Sequence, residues 1–251
     1  MQDTRPLLCL DMDRVLVDHL STWQVVYDEI GADNSEAFEA YNQGLLDEWA
    51  WIKEDLGLIE RTFLESGRGR PTVDALDAIL ERVPMMDGME ALISTCLAAG
   101  WHVAIVSGGV HVTAHRIAAK YPAQGPWKRR WGGLEARYAN GHDSQLHVFT
   151  NGWLARLSEP EDGHLRPLGR YQVQMNGKGS IVRMLQRRLG VPKALTVAVG
   201  DSAGDIGMFQ ESGLAVCFNP WDERPASHVH HVLRSTDLHD VLALLRQEGR
   251  L

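Results

Sequence analysis

Long apolar runs are missing from this sequence: no stretch approaches the roughly 18 apolar residues that cross a bilayer as a helix, which argues against a membrane-spanning chain. Cysteine is scarce too. The three present, Cys9, Cys96 and Cys217, are odd in number, widely spaced and form no CxxC pair, which fits a reducing compartment rather than a disulfide framework. A surplus of positive charge is the third absence. With 25 Lys+Arg against 33 Asp+Glu the formal charge is −8, and the pI lies near 5.7. General nucleic-acid binding draws its affinity from Lys and Arg on phosphates, so nucleic acid is not an expected partner. Anionic membrane surfaces are disfavoured for the same reason. Met1 to Pro6 is polar and carries no signal-peptide core, so a cytoplasmic location is expected. Internal repeats and low-complexity tracts are absent as well.

What is present is an ordinary globular composition, 44% hydrophobic and 23% charged over 251 residues. Short apolar runs at Leu7 to Leu10, Val103 to Val106, Leu195 to Val199 and Leu214 to Phe218 are bounded by Gly, Asp or Asn and read as buried parallel strands. Helical patterns at Met89 to Ala99, Val110 to Lys120 and Ser180 to Leu189 lie between them. This alternation predicts an α/β fold, a doubly wound parallel sheet. Residues 21–82 break the rhythm with helical stretches and no convincing strand, which predicts a helical cap inserted after the first strand. The α/β core would then comprise residues 1–20 and 83–251. Pro122 to His147 is too long for an ordinary loop and reads as a flap or mobile excursion. Asn151 to Gln174, with a polar centre at Ser158 to Gly163, reads as a β-hairpin.

Chemistry concentrates at three strand ends. The first strand delivers Asp11 and Asp13, two residues apart, where open α/β sheets place their ligands. Close carboxylates repel unless a cation or a shared proton separates them, and oxygen donors of this kind suit Mg²⁺. The second strand ends in Ser107-Gly108-Gly109 before a helix, a pattern that can cradle phosphate on backbone N–H groups. The third is followed by Gly200-Asp201-Ser202-Ala203-Gly204-Asp205, with Lys178 earlier at a helix start. Each piece taken singly has a bland account: a helix cap, a plain turn, a loop acid.

In this order the pieces DxDxxL, SGG, K and GDSxxD resemble the haloacid dehalogenase superfamily of aspartyl-phosphate hydrolases. The helical insert, the SGG, the hairpin before Lys178 and Asn219-Pro220 are similar to its phosphoserine phosphatase branch. The resemblance implies that Asp11 attacks phosphorus and that Asp13 serves as general acid and base. It implies Mg²⁺ held by Asp11, Asp201 and the Asp13 backbone carbonyl. Ser107 and the Gly108 N–H would bind the phosphoryl group, Lys178 would pair with it and with Asp11, and Asp205 would orient Lys178 or a water. The implied substrate is a small-molecule phosphate monoester. Phosphotransfer, mutase chemistry and a non-catalytic binding protein on the same fold are the alternatives. The chain departs from the branch in carrying Gly204 where Asn is usual, Asp18-His19-Leu20 where a Glu reads the substrate amine, and no cap Arg between Val15 and Glu60.

That same stretch sets eleven acids against Lys53 alone, a formal charge of −10 that leaves +2 for the rest of a −8 chain. A cap of this kind would disfavour anionic leaving groups and admit neutral or cationic alcohols such as sugar or amino-alcohol phosphates. The plainer account is a solvated outer face. Trp49 and Trp51 would line a pocket or pack as core; Trp127 and Trp131, around Lys128-Arg129-Arg130, would clamp a ring, form a homodimer contact or pack down locally. Arg14 faces the mouth of the site or makes a salt bridge at the cap hinge. His111 and His115, four apart, lack a further ligand pattern, and His228, His230 and His231 read as surface or edge residues. Cys9 reads as core.

Overall fold

Alternate residues of the first strand feed two separate cores. In β1 (Leu7–Leu10), Leu8 and Leu10 point to one face of the sheet with Val103, Ile105, Val197 and Val199, while Leu7 and Cys9 join Ala104, Val106 and Ala198 on the other. A strand apolar on both faces has to lie inside a sheet covered on both sides. The computed structural model describes residues 5–125, 127–131, 134–139, 143–157 and 165–251.

The chain runs β1, α1 (Thr22–Ile30), α2 (Ser35–Asn42), α3 (Glu48–Glu65), α4 (Val73–Leu80), α5 (Met89–Ala98), β2 (His102–Val110) and α6 (His111–Ala118). It continues through β3 (Trp127–Trp131), β4 (Leu134–Ala139), β5 (Leu146–Leu157), β6 (Leu165–Arg170) and α7 (Lys178–Leu189). The last elements are β7 (Thr196–Gly200), α8 (Ile206–Gln210), β8 (Leu214–Phe218), β9 (His231–Leu233) and α9 (His239–Gln247). The main sheet has the order β6-β5-β2-β1-β7-β8-β9, parallel except for β6 at its edge. From β1 the chain builds outward first through β2 and β5, then on the other side through β7, β8 and β9. The switch point therefore falls at the carboxyl ends of β1, β2 and β7.

The α/β expectation is met, and the insert is helical: α1 to α4 occupy residues 22–80 without a strand. Ser21, Asp47 and Thr72 cap α1, α3 and α4 with side-chain oxygens on backbone N–H groups. Two segments differ from the sequence reading. Within Pro122 to His147 the chain forms the antiparallel pair β3–β4 and then enters the main sheet as β5 at Leu146. The parallel half of β5, Leu146 to Thr150, escapes a sequence reading because one 12-residue strand serves both as a core strand and as an arm of the β5–β6 hairpin. The expected hairpin is present, although its polar centre lies outside the described residues. Among the described residues no helix is long and apolar enough to cross a membrane.

Candidate active site

The strand ends bring together the acids that the sequence singled out. Asp11 directly follows β1, and its N–H donates to the Val199 carbonyl of β7 (3.0 Å). Its Oδ1 accepts from Met12 N (2.7 Å) and lies 2.9 Å from Lys178 Nζ. Lys178 opens α7, is buried, and donates its other bond to Asp205 Oδ1 at 2.6 Å. Asp205 Oδ2 in turn accepts from Asp201 N (2.9 Å) and Ser202 N (3.1 Å), a capping box that fixes the turn after β7. Gly200 is required here: a Cβ on it would sit 2.4 Å from the Asp205 carboxylate.

Burial decides the electrostatics. It pushes the Asp11 carboxyl up, with the Lys178 ammonium pulling the other way. Lys178 is itself opposed by burial, but Asp11 and Asp205 outweigh it and hold it above the ordinary lysine value. Burial, then Asp11 and Asp205, push Asp201 up to about 8. Asp11, Asp201 and Asp205 each offer a carboxylate oxygen within 4.8 Å of the others. Three buried acids face two cations, Lys178 and Arg14, which leaves a negative charge in excess, and an all-oxygen donor set fits a hard divalent ion such as Mg²⁺. With both Asp205 oxygens already engaged, Asp11 and Asp201 are the residues that would hold it. The Asp13 carboxylate joins no such group among the described residues.

Asp13 stands on the α1 side of the group. Its Oδ2 accepts from Thr22 Oγ1 (3.3 Å), and that hydroxyl accepts from Val110 N (2.7 Å). Burial first, and then the Asp11 charge, push its carboxyl up to about 7, while its buried Oδ1 finds no hydrogen-bond partner among the described residues. Ser107, Gly108 and Gly109 do not form a turn before a helix. They lie in a bulge of β2, where the register against β5 shifts between Ser107 and Val110, and α6 starts only at His111. A Cβ on Gly109 would lie 2.6 Å from Asp13 Oδ2, so only glycine lets this loop approach the acid so closely. Ser107 Oγ accepts from Gly109 N (3.1 Å), and the Trp23 indole donates to the Gly108 carbonyl (3.2 Å).

Thr22 and Trp23 are the contributors missed in the sequence. The signal was Ser21-Thr22, a helix start placed directly behind the first acidic motif. Arg14 faces the site, and its salt bridge is to Asp201 rather than to the cap hinge. Trp49 and Trp51 belong to neither core: Trp51 stacks on Tyr41 (4.4 Å) and Trp49 lies against Gly169 of β6. His111 and His115 pack edge to face beside Trp153 and join no cluster of three ligands among the described residues. His231 lies on the edge strand β9, and Cys9 is buried in the core. The expectations for Trp127 and Trp131 fall on side chains outside the described residues.

Fold and site define an α/β protein of the doubly wound class, with a cluster of carboxylates on strand ends at the switch point. The haloacid dehalogenase-like hydrolase profile matches residues 8–210, and the chain belongs to that family. Within it the chain is a phosphomonoester hydrolase of phosphoserine phosphatase-like type. It is 25% identical to the phosphoserine phosphatase of Methanocaldococcus jannaschii over 223 residues, covering 87% of each chain. It is 30% identical to that of Lactococcus lactis subsp. lactis over 217 residues, 84% of this chain and 82% of the relative. A 28% match to the Archaeoglobus fulgidus enzyme spans 85% of this chain but 52% of that protein. In fold it superposes with a TM-score of 0.69 on a phosphoserine phosphatase solved as a phospho-aspartyl intermediate analogue, 21% identical, covering 96% of this chain and 99% of the other.

Proposed function

We propose that this chain hydrolyses a small-molecule phosphate monoester through an aspartyl-phosphate on Asp11, with Mg²⁺ as its cofactor. The observation that carries the reading is the buried Lys178 bridge between Asp11 and Asp205, beside Asp201 and the Ser107–Gly109 bulge. The Asp11 carboxylate attacks phosphorus and the ester P–O bond breaks. Asp13 donates its proton to the leaving alkoxide; a carboxyl pushed up to about 7 suits both giving a proton and taking one back. Water then gives a proton to Asp13 and attacks phosphorus, releasing phosphate and restoring Asp11. Lys178 keeps its charge throughout and offsets that of Asp11 and the phosphoryl oxygens. Ser107 and the Gly108 N–H hold those oxygens. When bound by Asp11, Asp201 and the Asp13 carbonyl, Mg²⁺ lowers the repulsion between the carboxylate and phosphate.

The division into a core of residues 1–20 and 83–251 and a cap of residues 21–82 is part of this reading, as is a cytoplasmic location for a chain with three buried free cysteines. A homodimer is its assembly to test, by light scattering. The leaving group is taken to be a neutral or cationic alcohol, because the insert is acidic. Asp11→Asn is expected to lower turnover of a broad phosphate-ester panel by about 10³-fold or more, since the nucleophile is lost. Near-normal phosphate release by that variant overturns the reading.

A further inference from the structure

Arg14 follows Asp13 directly, at a backbone φ of 62°, the left-handed region that disfavours any side chain larger than glycine. The fold holds it there through contacts at three sides of its guanidinium. NH2 donates to the Asn219 carbonyl (2.8 Å) and to Asn219 Oδ1 (3.1 Å), and Nε lies 3.2 Å from Asp201 Oδ2. The plane also rests 5.3 Å from the centroid of the Trp221 ring, an indole that is 57% exposed. Asn219 returns a bond from Nδ2 to the Arg14 carbonyl (3.5 Å), and Trp221 N donates to the Asp201 carbonyl (3.0 Å). Asn219 and Trp221 are not part of the acid cluster, so the cation is anchored from outside it and pointed at one carboxylate within it.

Lys178 bridges Asp11 and Asp205, and among the described residues the salt bridge to Asp201 comes from Arg14. We infer that Arg14 is a built-in counter-cation of Asp201, one that a divalent metal must work against, and that it thereby sets how tightly this chain binds its metal. The inference rests on the metal site of the proposed function. A divalent ion on Asp201 meets a guanidinium at the same carboxylate, and two cations a few ångströms apart in a partly buried site repel strongly. The Asn219 and Trp221 contacts oppose any retreat by Arg14.

The test measures metal binding without substrate, on the full chain, by calorimetric titration with Mg²⁺ and by electron paramagnetic resonance with Mn²⁺. Arg14→Gly relieves the left-handed backbone and Arg14→Gln keeps the length without the charge; circular dichroism confirms the fold of each. Both variants are expected to bind metal about tenfold more tightly than the parent, because one repulsive charge is gone, and to show a larger thermal shift on adding Mg²⁺. Metal binding by the variants alone supports the inference equally. Affinity that is unchanged or weaker in the folded variants overturns it, as does binding by neither parent nor variants. Phosphate release by the parent with Mg²⁺ reports on the proposed function separately, so the two can fail independently.

Discussion

Lys178 balances two buried acids, and neither partner can be left without it cheaply. Replacing it by Met keeps much of the volume but leaves Asp11, Asp201 and Asp205 facing one another with no buried ammonium. Removing one partner of a buried ion pair costs roughly 3–5 kcal/mol. Lys178→Met should therefore be destabilised by about that much in chelator-treated protein, and Mg²⁺ should restore part of it. Urea unfolding with and without Mg²⁺ checks this; equal losses in both conditions would reject a charge-balancing role. Asp55 on α3 is a different buried acid. It lies beside Tyr27, Asn34 and Trp51, its Oδ1 has no aligned donor among the described residues, and burial pushes its carboxyl from 3.8 up to about 7. The folded state thus holds the proton more tightly than the unfolded one. The stability this gives is fully present below about pH 4 and is lost as pH rises towards 7. Asp55→Asn should remove that slope, matching the parent near pH 4 and exceeding it above pH 7 by on the order of 4 kcal/mol. Thermal melts across pH read it, and parallel profiles would reject it.

Among elements, α4 is tied to its neighbours by the Trp153 indole of β5, which donates to Asp77 (2.8 Å), and by a clasp at its end. Arg116 on α6 donates to the carbonyls of Leu80 (2.8 Å), Glu81 (2.6 Å) and Val83 (2.7 Å), where α4 ends and the insert returns to the core. A guanidinium on the last carbonyls of a helix satisfies otherwise orphaned acceptors and meets the negative end of the dipole. Arg116→Met is expected to cost roughly 2 kcal/mol and to speed hydrogen exchange in α4 more than in α5. Unchanged exchange in α4 would show that apolar packing and the Trp153–Asp77 bond hold α4 instead. This clasp was invisible in the sequence, as was the Arg14–Asn219 pair, whose members lie 205 positions apart. The strands ending at Leu10 and Gly200 and the helix starting at Lys178 were legible because apolar runs stop at acids and glycines within a few residues. Asp11, Asp13, Lys178, Asp201 and Asp205 stood out as candidates with them, since each sits at such a boundary. The β2 bulge did not: Gly108 and Gly109 suit a turn and a bulge equally, and only pairing with β5 separates the two.

At the scale of the whole molecule the charge is unevenly divided. Residues 21–82 carry fourteen acids and five bases, so the insert holds a formal −9 of the chain's −8. Many of the acids have local work. Asp47 caps α3, Glu48 accepts from Tyr41, Tyr171 and Met175 N, and Glu29 and Glu60 pair with Arg82 and Arg70. These contacts account for the residues individually but do not abolish the field. A carboxylate that accepts a hydrogen bond keeps its charge, and only the ion-paired ones are offset. The insert should therefore repel leaving groups that carry a carboxylate or a second phosphate, and the repulsion should be screened over a Debye length of about 8 Å at physiological salt. Compared at equal size, an amino-alcohol phosphate is expected to show the higher kcat/KM at low ionic strength, with the gap to phosphoserine narrowing as salt is added. Faster turnover of the more anionic substrates, or a gap that salt does not change, would place selectivity in local contacts and leave the acidity of the insert to its own folding.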